Sequence, residues 1–211
     1  MNLILLMKNT NVYCRALGLT FLDDLGKNPI KIVESLTYIV SLSSFIGVLF
    51  LISGDQMNKY MKLVMWVLSL QLVSSLFGLF MRKPVDTWYL ALERSPLSPP
   101  NYVFGIVWPL LYLMIAVAGW MIWQMKSDKQ AIAIKRAFIL QMILNWSWSP
   151  LFFNLHLIGF SLFVILLILA LVGYLVYKLF AIEKQAALLL APYFFWLCFA
   201  SYLNYYIVIN N

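Results

Sequence analysis

Charge is what this chain has least of. Only 11% of its 211 residues are Asp, Glu, Lys or Arg, against about 25% in an ordinary soluble domain. Hydrophobic residues make up 64%, which leaves too little polar surface to face water and excludes a soluble globule. Cysteine is also scarce: Cys14 and Cys198 lie far apart, so neither a disulfide framework nor a cysteine metal site is expected. The one histidine, His156, falls near a helix end and reads as a polar terminus rather than a metal or haem ligand. Carboxylates are missing from every long apolar run. That removes ordinary acid–base catalysis and ion-coupled transport, both of which need ionisable groups at the site. No G-x-x-x-G occurs, and Ser74 with Gly78 offers only a small-xxx-small substitute for a helix-pairing face.

What remains is an all-α integral membrane protein. A helix needs about 20 apolar residues to cross the hydrocarbon core. Five candidates follow one another, at 60–81, 102–125, 136–155, 158–180 and 187–209. Lys178 lies close enough to an end to snorkel. The 82–101 connection is the longest; the others are short, so consecutive helices should run antiparallel. A five-helix bundle over 57–211 is therefore expected, preceded by an extension over 1–56 whose apolar run, 36–53, would make a sixth helix.

The net charge of +7 is better explained by topology than by nucleic acid, because the bases sit in connections between spans. With five helices, Lys59, Lys62, Lys126, Lys129, Lys135, Arg136, Lys178 and Lys184 share one side, against Arg82, Lys83 and Arg94 on the other. That bias puts the start of the 60–81 helix in the cytoplasm. A sixth span would move Lys8, Arg15, Lys27 and Lys31 to the opposite side and erase the bias. The basic start at Met57, with Gly54-Asp55 encodable as a ribosome-binding-like GGAGAT, marks Met57 as the expected natural start. An extra helix or an uncleaved targeting segment are the alternatives for 1–56. A cleaved signal peptide is not expected, since the apolar run begins too far from the N-terminus.

Three spans carry aromatic and polar residues at spacings of three and four, which places each set on one helix face. Gly105, Trp108, Tyr112, Ile115 and Gly119 form the first stripe, with Pro109 unable to donate to the Gly105 carbonyl. Gln141, Asn145, Trp148 and Phe152 form the second; Tyr193, Trp196, Ala200 and Leu203 form the third, with Asn204 alongside. Amides inside a span are costly in lipid and should face protein or a ligand. Together the stripes would line an apolar pocket with a few hydrogen-bonding groups, the usual character of a small-molecule site. Packing is the commoner use of any single such ring, helix bridging that of Gln141 and Asn145, and interface anchoring that of Trp88, Tyr89 and Tyr102.

The order of these residues resembles the family of translocator proteins and tryptophan-rich sensory proteins, also known as peripheral-type benzodiazepine receptors. The resemblance covers about 60–210. It rests on W-Y-x-x-L at 88–92, P-P-x-x-V-F-G-x-V-W-x-x-L-Y at 99–112, Q-x-x-L-N-x-x-W-S at 141–149 followed by Phe152-Phe153, and A-x-x-L-L-x-P-Y-x-x-W-x-x-F-A-x-x-L-N at 186–204. It implies a five-helix bundle, often a homodimer, with a pocket opening toward the 82–101 loop. It also implies porphyrin, haem-pathway, isoquinoline or benzodiazepine ligands, sterols in some members, and no required cofactor. Matched by motif, the ligand-binding residues are Trp108, Asn145, Trp148, Trp196 and Ala200, with Tyr112 adjacent and Trp88 and Tyr89 toward the mouth. Two departures bear on this. Where the family commonly has Lys-Pro-x-Trp before Pro-Pro, this chain reads Arg94-Ser95-Pro96-Leu97, so a loop aromatic is missing. The last helix ends LNYYIVINN without the base that a sterol-recognition pattern needs.

The leading expectation is a sensor that holds a porphyrin or haem-like ligand between Trp108 and Trp196, with Asn145 bonding its polar edge. A photo-oxidative, porphyrin-degrading enzyme and a passive transporter of hydrophobic molecules are the alternatives.

Overall fold

A computed structural model describes residues 58–86, 88–126 and 128–211; side chains at 73, 74 and 76–86 are not among those described. The 36–53 run, the Met57 start and the Ser74–Gly78 pair's side chains therefore lie outside the described residues. Every described element is helical: α1 (Lys59–Asp86), α2 (Asn101–Gln124), α3 (Lys129–Ser149), α4 (Ile158–Ile182) and α5 (Lys184–Asn210). A 3-10 turn at Tyr89–Ala91 precedes α2, and a π-helical turn at Pro150–Asn154 follows α3.

Local chemistry sets the boundaries more than hydropathy does. Pro99 and Pro100 have no N–H to offer, and Pro100 in extended geometry starts α2, with Val103 N–H on its carbonyl at 3.0 Å. Asp128 caps α3 by accepting from the Ala131 N–H at 2.6 Å. The helix thus begins in the basic stretch at Lys129, seven residues before the apolar run expected from 136. At its other end, Pro150 cannot donate to the Trp146 carbonyl, and the next turn widens to a π form with Leu155 N–H on the Pro150 carbonyl at 3.0 Å. His156, at φ 56°, then reverses the chain into α4. Only Glu183 separates α4 from α5, and its N–H still bonds the Leu179 carbonyl. α1 runs to Asp86 rather than ending at 81, which shortens the long connection.

Packing places the helices in a ring in the order α1, α2, α5, α4, α3, with α4 against α5 the most extensive contact and α2 against α3 a slight one. The seam between α4 and α5 is built from residues such as Ile168, Val172, Leu175, Leu190 and Leu197, all buried. Large apolar side chains also cover the outside, among them Ile106, Leu110, Phe163, Leu166, Phe195 and Tyr205. An exterior this greasy suits lipid and would be insoluble in water. By length and composition, α2, α4 and α5 are each apolar enough to cross a membrane, among the described residues. Lys129, Lys135 and Arg136 lower the hydropathy of α3.

Candidate functional site

Inside the ring lies a cavity of about 650 Å³, within the range of small-molecule sites. It sits toward the end that carries the 87–100 connection and the α3–α4 turn. α2 supplies Phe104, Gly105, Trp108 and Tyr112; α3 supplies Asn145, Trp148 and Ser149; the π turn adds Phe152 and Phe153. α5 contributes Trp196, Leu197, Ala200, Leu203 and Asn204, and α4 contributes Ile165 and Ile168. Ser75, Gly105 and Pro109 line the cavity and are themselves exposed. The Gln71 amide donates to the Pro109 carbonyl at 2.8 Å and ties the two helices there.

Seven of the eight residues expected at the site, Trp108, Tyr112, Asn145, Trp148, Trp196, Ala200 and Tyr89, line this one cavity. Trp88 does not. Its ring stacks on His156 at 4.0 Å and meets the edge of Phe152 at 5.6 Å. His156 is thus a platform for the loop rather than a bare polar terminus.

The aromatic walls fall into two groups. Trp108 and Trp196 meet edge to face with centroids 6.5 Å apart, and Phe104 adds a second edge contact to Trp196 at 5.8 Å. A plane sandwiched between two rings needs about 3.5 Å on each side and parallel faces. Those indoles therefore form a corner rather than a parallel pair. Across the cavity Trp148 and Phe152 stack at 5.0 Å, with Phe153 edge-on to both.

Polar groups are few and already organised. The Tyr112 hydroxyl donates to Asn145 Oδ1 at 2.7 Å, and Asn145 Nδ2 donates to the Tyr193 hydroxyl. Tyr193 in turn reaches Gln141 Oε1 at 3.4 Å. Tyr193 and Gln141 shared their stripes with cavity residues in the sequence, yet both are fully buried behind the wall. Asn204 sits 3.2 Å from the Ser161 hydroxyl and bridges α5 to α4.

Beside this end of the bundle, the loop is tied down by hydrogen bonds. Glu93 exchanges two backbone bonds with the Asn211 amide, at 2.9 and 3.0 Å, and the Ser95 and Tyr202 hydroxyls lie 3.2 Å apart. Tyr89 packs edge-on to Phe152 and Phe153 beneath it. Burial pushes the Tyr89 phenol above its ordinary pKa, and the Arg94 guanidinium, 5.4 Å over the ring, opposes that rise. Sequence reasoning missed Phe104, Ile165 and Ile168. Phe104 stood in a quoted motif, but the α4 isoleucines carry no signal that separates cavity from core.

Among the described residues, no three His, Cys, Asp or Glu side chains gather where a metal could be held. The TspO/MBR family model matches residues 64–209. The chain is 35% identical to the tryptophan-rich protein TspO of Archaeoglobus fulgidus over 155 residues, covering 72% of this chain and 97% of that protein. It is 33% identical over 120 residues to the translocator protein of Bos taurus, covering 56% and 71% respectively. Against the tryptophan-rich sensory protein of Cereibacter sphaeroides it is 29% identical over 120 residues, covering 57% and 74%. With its helical bundle, its lipid-facing exterior and these relatives, the chain belongs to the TspO/MBR family of membrane proteins.

Proposed function

We propose that this protein is a membrane sensor that binds a flat tetrapyrrole, a porphyrin or haem-pathway intermediate, in the cavity between α2, α3 and α5. The observation that carries this reading is the cavity's composition. Indoles from three helices, Trp108, Trp148 and Trp196, face one space of about 650 Å³ whose polar groups are confined to a few hydroxyls and amides. Such walls reward a broad apolar plane, because aromatic contacts add about 0.5–1.5 kcal/mol per pair beyond area burial. Among the described lining residues there is no carboxylate and no histidine, and the reading is therefore one of binding and reporting. The tetrapyrrole class comes from the family resemblance, and the geometry supplies room and surface for it.

The test is tryptophan quenching by protoporphyrin with purified protein in nanodiscs. Trp108→Ala and Trp196→Ala should each weaken binding about tenfold, the scale of one lost stacking wall with its buried area. Equal affinity in wild type and both variants would remove the cavity as the site.

A further inference from the structure

We propose that the end of the bundle away from the cavity carries a site for one anionic phospholipid, with the lipid phosphate held by Lys59 and Lys135 above the indoles of Trp120 and Trp123 and an acyl chain along the outer face of α2. None of these four residues lines the cavity, so the site stands apart from whatever binds there.

Trp120 and Trp123 lie one turn apart near the C-terminus of α2, and each carries a lysine from a different neighbouring helix. The Lys59 ammonium of α1 is 5.3 Å from the Trp120 ring, and the Lys135 ammonium of α3 is 6.0 Å from the Trp123 ring. Trp66 of α1 backs Trp123 at 5.4 Å. An ammonium at such a distance is drawn to the face of the ring. Each lysine is thereby held in place, and less side-chain freedom is lost when a ligand arrives.

Neither cation is neutralised. Among the described residues Lys59 has no carboxylate or carbonyl partner, and Lys135 donates to the Met125 carbonyl at 3.3 Å. An ammonium carries three N–H donors, so both keep donors for an anion. The described carboxylate in the α2–α3 connection, Asp128, accepts instead from the Ala131 N–H that starts α3.

The surface beside the cations calls for an amphiphile. Ile106, Leu110, Leu113, Val117 and Trp120 recur at spacings of four and three, which puts them on one face of α2. The first three are exposed. Their track ends at the ring under Lys59 and spans about 21 Å at 1.5 Å per residue, enough for a chain crossing one leaflet of about 15 Å. A molecule with a negative head and a hydrocarbon tail matches both parts; a free phosphate matches only the first. Retention of basic connections in the cytoplasm needs only a count of charges. Lys129 and Arg136, exposed at the same end, serve that count with no ring contact among the described residues. Lysines from α1 and α3 converging on adjacent rings of α2 are a further feature, and a headgroup accounts for it.

Native mass spectrometry of the full chain, offered equal amounts of phosphatidylglycerol and phosphatidylcholine, tests this through the ratio of the two singly lipid-bound species. Wild type should prefer phosphatidylglycerol about tenfold or more, since each lysine beside an anionic headgroup contributes about fivefold. Lys59→Gln and Lys135→Gln should each lower the ratio about fivefold, and together they should bring it near one. Lys129→Gln with Arg136→Gln removes the same charge from the same end and should leave the ratio within about twofold of wild type. Circular dichroism checks that each variant is folded. A wild-type ratio near one overturns the site. Equal losses in the two double variants overturn it as well, because surface charge alone then explains the preference. Displacement of phosphatidylglycerol by glycerophosphoglycerol, the same headgroup without chains, at equal concentration overturns the lipid as occupant and leaves a phosphate site.

Discussion

Two glycines on α2 share one face of the helix and meet opposite surroundings. A Cβ on Gly119 would lie 2.5 Å from Phe138 Cζ and 2.9 Å from Cε1, and that ring is buried among α2 and α3. A Cβ on Gly105 would meet nothing within 4 Å. Gly119→Ala is therefore expected to cost about 1–3 kcal/mol by overpacking. Gly105→Ala should be neutral or gain up to about 1 kcal/mol from helix propensity. Thermal unfolding in detergent measures both, and a Gly119→Ala protein that melts with wild type would mean a looser α2–α3 contact. The pair also shows where the sequence runs out at this scale. Spacing placed Gly105, Trp108, Tyr112, Ile115 and Gly119 on one face, but a helix has the same period whether it faces a void or a ring. Ile115 and Gly119 turn out to pack in the core, while Gly105, Trp108 and Tyr112 open onto the cavity. Likewise, Trp108 and Trp196 were legible as neighbours but not as a perpendicular corner, because ring orientation depends on side-chain rotamers and not on periodicity.

At the scale of elements, the loop over 88–100 and the π turn after α3 shape the mouth. The loop was expected beside the pocket opening; the π turn was not. Hydropathy sees Pro150 as one residue in an apolar run, whereas its missing N–H widens the helix and swings Phe152 and Phe153 onto the cavity. The existence and order of the five spans were legible because each needs an uninterrupted apolar run. Their ends were less so: a cap such as Asp128 and a charged first turn extend α3 beyond what hydropathy marks. The loop is held to α5 by the Glu93–Asn211 pair and the Ser95–Tyr202 contact. Each such bond contributes about 0.5–1.5 kcal/mol net. If opening this loop limits release, Tyr202→Phe and Asn211→Ala should each speed porphyrin dissociation about two- to tenfold in stopped-flow quenching. Stability should change little. Dissociation rates that match wild type in both variants would assign release to another route, such as one past the exposed lining residues Ser75, Gly105 and Pro109.

For the whole molecule, the two ends of the bundle differ in charge and in chemistry. The end that starts α1, α3 and α5 carries Lys59, Lys62, Lys126, Lys129, Lys135 and Lys184. Two of these lie over indoles: Lys59 is 5.3 Å from the Trp120 ring, and Lys135 is 6.0 Å from Trp123 while it donates to the Met125 carbonyl at 3.3 Å. Cations on aromatic platforms beside a helix C-terminus suit the headgroup layer. At the opposite end, beside the cavity, the loop has Arg94 as its one base among residues 88–100. Short basic connections are retained on the cytoplasmic side during insertion, so the cavity mouth is expected to face away from the cytoplasm. A variant with Cys14 and Cys198 replaced by alanine gives a background for single-cysteine labelling. Leu97→Cys, at an exposed loop position, should react with a membrane-impermeant maleimide added to the outer face of the membrane. Lys126→Cys, exposed between α2 and α3, should react only after the bilayer is breached. The reverse pattern would put the mouth in the cytoplasm and would mean that something other than the described basic residues sets the orientation.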